Sequence, residues 1–194
     1  MKTVFFDVDT QIDFMFPAGA LYVRGAEKIL DNVARLNRYA AEHAIPVIST
    51  MDAHAEDDRE FKVWPPHCVV ETAGQQKAAA TLLDKRAVVP NRAGTVDVSG
   101  AQQILLEKQE NDCFTNVNLP TLLQHLAADC YVIYGVVTEF CVKDAAMGLL
   151  NTGKRVELVT DAARSLSDTA SHEMLRDFET RGGFLTLLHA VIAP

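Results

Sequence analysis

Reactive side chains gather at four places in this 194-residue chain, each just beyond a short apolar run. The run Val4–Val8 is followed by Asp9-Thr10-Gln11-Ile12-Asp13-Phe14, two carboxylates and an aromatic in close succession. Gln103–Glu107 is followed by Lys108, a cation that a buried crevice tolerates only beside a carboxylate. Tyr131–Tyr134 is followed by Gly135-Val136-Val137-Thr138-Glu139-Phe140-Cys141-Val142, which puts Cys141 in the first turn of a predicted helix. There the helix dipole and free N–H groups lower a thiol pKa, and the same N–H groups can receive the oxyanion that forms when a thiolate attacks a carbonyl. Each residue alone has a plainer reading: Asp9 as a turn cap, Lys108 as a solvent-facing lysine, Cys141 as a buried apolar cysteine. Their conjunction is what points to nucleophilic chemistry with a carboxylate base.

The fourth place follows Pro46–Met51. Asp52-Ala53-His54 leads to Glu60 and then to Trp64-Pro65-Pro66-His67. An Asp-x-His pair with a further histidine downstream offers ligands suited to zinc, iron or manganese. Spacing alone leaves open that His54 and His67 are hydrogen-bonded or surface histidines.

The elements that must position these residues alternate short apolar runs with helical patterns, the rhythm of βαβ units. Strands are predicted at Val4–Val8, Pro46–Met51, Gln103–Glu107, Tyr131–Tyr134, Val156–Val159 and Phe184–Leu188. Helices are predicted at Ala26–His43, Thr121–Ala128, Glu139–Thr152 and Ser167–Arg181, with another at Gln75–Asp84 inside an irregular excursion from Met51 to Gly100. In the first of these, Ile29, Val33, Leu36 and Ala40 form an apolar stripe with Asn37 at its edge. The expected fold is α/β: a three-layer, doubly wound, Rossmann-like domain spanning residues 1–194 with a six-stranded, mainly parallel sheet. In such a sheet ligands bind beyond the carboxyl ends of the strands, where all four reactive segments fall.

Composition narrows the partners. The net charge of −8, with no block of Lys or Arg, excludes a nucleic-acid backbone as ligand and favours a small neutral or cationic molecule. No run approaches the roughly 18–20 apolar residues of a membrane span, and Thr3-Val4-Phe5-Phe6 shows no signal-peptide pattern. A cytoplasmic location is expected, with Cys68, Cys113, Cys130 and Cys141 reduced. A homo-oligomer is compatible with the sequence.

On the motifs Asp9-Thr10-Gln11-Ile12-Asp13-Phe14, Lys108 and Gly135 to Val142, the chain resembles the isochorismatase-like cysteine hydrolases, and within them the nicotinamidases, over essentially its whole length. Val159-Thr160-Asp161-Ala162 extends the resemblance to the fifth strand. It implies a catalytic triad of Asp9, Lys108 and Cys141, with Asp9 as base and then acid, Lys108 keeping Asp9 ionised, and a thioester intermediate on Cys141. It implies a non-proline cis peptide at Val136–Val137 and an oxyanion hole from the N–H groups of Val137 and Cys141. It implies one divalent metal ion, zinc with iron or manganese as alternatives, on Asp52, His54, Glu60 and His67, with Asp57 and Asp58 able to replace Glu60. Phe14 and Trp64 would sandwich a nicotinamide ring. The chain departs from the nicotinamidase pattern at Asp112-Cys113-Phe114, where Ser-Ala-Phe is usual. The alternatives are a metal-independent sibling acting on another small amide or ureido compound, and a metal-binding domain without catalysis.

Overall fold

Along strand β1 (Thr3–Val8), Val4, Phe6 and Val8 alternate with Phe5, and in the computed structural model, which describes residues 1–94 and 96–192, the two sets enter opposite apolar layers. A strand buried on both faces belongs at the centre of a sheet. β1 is joined by β2 (Val47–Asp52), β3 (Arg86–Val89), β4 (Gln103–Lys108), β5 (Cys130–Val136), β6 (Arg155–Arg164) and β7 (Phe184–Thr186) in the order β3-β4-β2-β1-β5-β6-β7. Every neighbouring pair is parallel.

Helices cover both faces. α1 (Ile12–Met15) is a single turn after β1, and α2 (Leu30–Glu42) packs Val33, Leu36 and Ala40 on the face that holds Phe5, together with Leu188 of α6 (Leu188–Val191). The other face receives Leu119 and Leu122 of α3 (Leu119–Leu126), Ala145 and Leu149 of α4 (Lys143–Leu150), and Met174 and Phe178 of α5 (Asp168–Thr180). The three-layer parallel α/β architecture expected from the sequence is therefore present. Among the described residues no helix is long and apolar enough to cross a membrane.

Four details differ from expectation. The sheet has a seventh strand, Arg86–Val89, a half-exposed edge strand of four residues too short to leave a period in the sequence. The helix predicted over Gln75–Asp84 is absent except for a 3-10 turn at Ala79–Thr81. Its backbone is spent elsewhere: Gly74 and Gln76 accept from the N–H groups of Asp13 and Ile12, and the Ala78 N–H donates to Thr10. That extended course buries Lys77 against Asp7 at 3.2 Å, an ion pair no isolated helix would make. At the C-terminus the strand stops at Thr186, because Leu188 already opens α6. The helix predicted at Glu139–Thr152 starts instead with a π-helical turn, Thr138–Val142, before α4.

β2, β3 and β4 lie on one side of β1, and β5, β6 and β7 lie on the other. The crevice opens at the carboxyl ends of β1 and β5, where the strand order reverses.

Candidate active site

Asp9 leaves β1 in the left-handed region at φ 49°, a conformation that Asp tolerates better than most residues. Its N–H donates to the Thr50 carbonyl at 3.2 Å, and the Thr50 hydroxyl donates to Asp9 Oδ1 at 2.7 Å. Parallel pairing of β2 with β4 sets Asp52 opposite Lys108. The Lys108 ammonium is hydrogen-bonded to Asp52 Oδ1, lies 2.9 Å from Asp9 Oδ2 and is 3.7 Å from Cys141 Sγ. All four side chains are buried.

Gly135 shapes the approach of the thiol. It sits at φ 119°, and a Cβ there would lie 2.1 Å from the Val8 carbonyl oxygen. Only glycine lets β5 pass so close to β1 and then turn. The next peptide, Val136–Val137, is cis. The π-turn that follows ties the N–H groups of Phe140 and Val142 to the Val137 carbonyl and places both Val137 and Cys141 on the pocket wall.

The electrostatics correct one expectation. Cys141 is not in the first turn of an α-helix, and burial pushes its thiol well above the ordinary range although Lys108 pulls it down. Burial also raises Asp9 against the opposing pull of Lys108, which makes that carboxylate a stronger base. For Lys108, burial favours the neutral amine, but Asp52 and Asp9 outweigh it and hold the ammonium charged. Burial likewise opposes ionisation of Asp52, and Lys108 with the two histidines overcomes it. Burial thus raises both the thiol and the carboxylate, with Lys108 opposing it at each.

Asp52, His54 and His67 offer ligand atoms that all lie within 4.8 Å of one another. Both histidines turn Nε2 toward Asp52 Oδ2, each at 3.7 Å. Their Nδ1 atoms are engaged behind them, His54 with Asp58 Oδ2 at 3.0 Å and His67 with the Pro65 carbonyl at 2.8 Å. His54 Nε2 is buried and has no hydrogen-bond partner among the described residues. An orphaned imidazole nitrogen facing a carboxylate and a second imidazole fits a divalent metal site. Glu60 stands beside the three, its Oε2 3.9 Å from His54 Nε2, and is half-buried. Asp58, an alternative to Glu60 on sequence grounds, is bonded to His54 Nδ1 instead.

Phe14 and Trp64 both line the pocket that contains Asp9, Cys141, Asp52 and His67. Phe14 lies against His67 with ring centroids 5.4 Å apart, and Trp64 meets Phe140 edge-on at 5.6 Å.

Several positioning residues escaped the sequence reading. Gln11 clamps the backbone of Asp52, its Nε2 donating to the carbonyl at 2.8 Å and its Oε1 accepting the N–H at 2.7 Å. Asp13 accepts the N–H groups of Ala20 and of Cys68, the neighbour of His67, at 2.9 and 2.7 Å. Asn111 lines the pocket and accepts from the Cys141 thiol at 3.6 Å. Gln11 and Asp13 stand inside the first motif, so their spacing carried a signal. Asn111 carried none.

Comparison with known proteins gives a consistent family. The family model described as Isochorismatase domain matches residues 3–189. The chain is 25% identical to the nicotinamidase of Saccharomyces cerevisiae over 87% of this chain and 90% of that protein. It is 22% identical to a relative in Arabidopsis thaliana named as a probable inactive nicotinamidase, over 97% and 93%. Among solved structures, the pyrazinamidase of Pyrococcus horikoshii in complex with zinc superposes with a TM-score of 0.80 at 25% identity, covering 96% of this chain and 99% of that one.

Proposed function

The chain belongs to the isochorismatase family, and within that family we propose that it is a metal-assisted cysteine amidohydrolase converting nicotinamide to nicotinate and ammonia. The observation that carries the proposal is the Lys108 ammonium, which joins Asp9, Asp52 and Cys141 in one buried cluster. A nucleophile and base are thereby coupled through one cation to a metal-ligand set. The yeast nicotinamidase and the zinc-bound archaeal pyrazinamidase support the same reading.

In this account the Cys141 thiol passes its proton to Asp9 as Sγ attacks the carboxamide carbon. The carbonyl oxygen takes the negative charge and receives the N–H groups of Val137 and Cys141. Asp9 then returns the proton to the amide nitrogen, the C–N bond breaks, ammonia leaves and a thioester remains on Cys141. Water attacks that thioester, giving a proton to Asp9, and the C–S bond breaks to release the acid as Asp9 passes that proton to Sγ and restores the thiol. Lys108 keeps Asp9 anionic between the transfers. Phe14 and Trp64 hold the ring.

Asp52, His54 and His67 would hold a divalent ion, zinc with iron or manganese as alternatives, with Glu60 as a further protein ligand. When bound, the ion supplies a Lewis-acid site for the pyridine nitrogen and for water, fixing the ring without attacking the amide. The test is ammonia release from nicotinamide, pyrazinamide and benzamide, with and without chelator. Turnover of nicotinamide that collapses on chelation supports the proposal. Equal hydrolysis of nicotinamide and benzamide by chelated protein would replace it with a metal-independent activity.

A further inference from the structure

Asp58, like Asp57, is open on sequence grounds to being read as a spare metal ligand, but its contacts give it a different task. One of its oxygens, Oδ2, lies 3.0 Å from His54 Nδ1, and the other, Oδ1, accepts the Glu60 N–H at 2.9 Å as the cap of the 3-10 turn Arg59–Lys62. A carboxylate can only accept, so a neutral His54 must carry its proton on Nδ1 and present the bare Nε2 lone pair. That lone pair belongs to the buried Nε2, which has no hydrogen-bond partner among the described residues and lies 3.7 Å from Asp52 Oδ2 and 3.9 Å from Glu60 Oε2. His67 achieves the same tautomer through the Pro65 carbonyl, which no side-chain substitution removes.

We propose that Asp58 is a positioning residue that sets the tautomer of His54 and the backbone of Glu60 at once, so that a single carboxylate makes the metal site competent. The inference rests on the metal-site reading above.

The proposal distinguishes two substitutions in a way that a merely structural role does not. Asp58→Asn keeps the shape but has one oxygen for two acceptor tasks. If that oxygen keeps the Glu60 N–H, the amide NH2 faces His54 Nδ1, drives the proton to Nε2 and blocks metal ligation. Asp58→Ala loses the cap but leaves His54 free to adopt either tautomer. A plain capping role predicts Ala to be the more harmful, since Asn is a good N-cap.

The experiment measures the zinc dissociation constant of full-length wild type and both variants by competition with a chromophoric chelator, with the melting temperature of each metal-free protein alongside. Asp58→Asn is expected to weaken zinc about 10- to 100-fold, the size seen when partners of metal-bound histidines are removed. Asp58→Ala is expected to bind zinc better than Asp58→Asn while melting lower. Wild-type affinity in Asp58→Asn, or weaker zinc in Asp58→Ala than in Asp58→Asn, would overturn the inference while leaving the metal site standing. Failure of wild type to bind zinc would overturn both.

Discussion

The Lys108 ammonium lies 2.9 Å from Asp9 Oδ2, although the two residues end different strands with β2 between them. Lys108 bridges that gap because it also bonds Asp52 at the end of β2. Lys108→Met should therefore leave two buried carboxylates without their cation. Unfolding in denaturant should show a loss of about 3–5 kcal/mol, the usual cost of breaking a buried pair, and nicotinamide turnover should vanish with it. Near-wild-type stability would show that the pair is not buried in solution.

Because burial holds the Cys141 thiol above its ordinary range, it should be protonated in the resting enzyme at neutral pH. Below its pKa the thiolate fraction grows about tenfold per pH unit, so the rate of Cys141 alkylation by iodoacetamide should still be climbing above pH 9. Peptide mass spectrometry at Cys141 across pH 6–10 checks this. A plateau reached by pH 7 would mean a preformed thiolate.

Gly135→Ala should be among the most damaging single changes outside the reactive set. The added Cβ would collide with the Val8 carbonyl, and φ 119° is closed to alanine. Strained backbone of this kind costs on the order of 1–3 kcal/mol before the clash is counted. A melting temperature equal to that of wild type would show that β1 and β5 are less closely apposed than described.

His54→Ala and His67→Ala should each reduce bound zinc, measured by elemental analysis of purified protein, together with nicotinamide turnover. Cys141 should remain open to alkylation at close to its original rate, since neither histidine contacts the thiol in the hydrogen-bonded cluster. Glu60→Gln should have a smaller effect, in keeping with its partial exposure. Full zinc content in both histidine variants would remove them from the ligand set.

Much of this site could be read before any coordinates. Asp9, Lys108 and Cys141 follow apolar runs long enough to be strands, and a parallel sheet brings such strand ends together whatever the detail of its loops. Spacing alone left His54 and His67 open to a plainer reading, the family resemblance pointed to them as ligands, and the structure brings both histidines to Asp52. The excursion after β2 was less legible. Lys77 sits in a helix-like stretch, yet pairing with the buried Asp7 and the N–H groups of Ile12 and Asp13 draws the segment straight, and such long-range partners leave no local period. Asn37 looked like the polar edge of a helix but is fully buried, donating to Asp7 and to the Thr81 carbonyl and accepting from Tyr134. The thiol's environment was misjudged because a helix dipole can be inferred from sequence, whereas the depth of burial that outweighs it cannot.

The most direct test of the central claim is ammonia released from nicotinamide by zinc-loaded wild type and by Cys141→Ala, each with its zinc content measured. Wild type should release ammonia and nicotinate in equal amounts, and Cys141→Ala only background ammonia at unchanged zinc content. Equal release from both proteins, or none from zinc-loaded wild type, would contradict the claim.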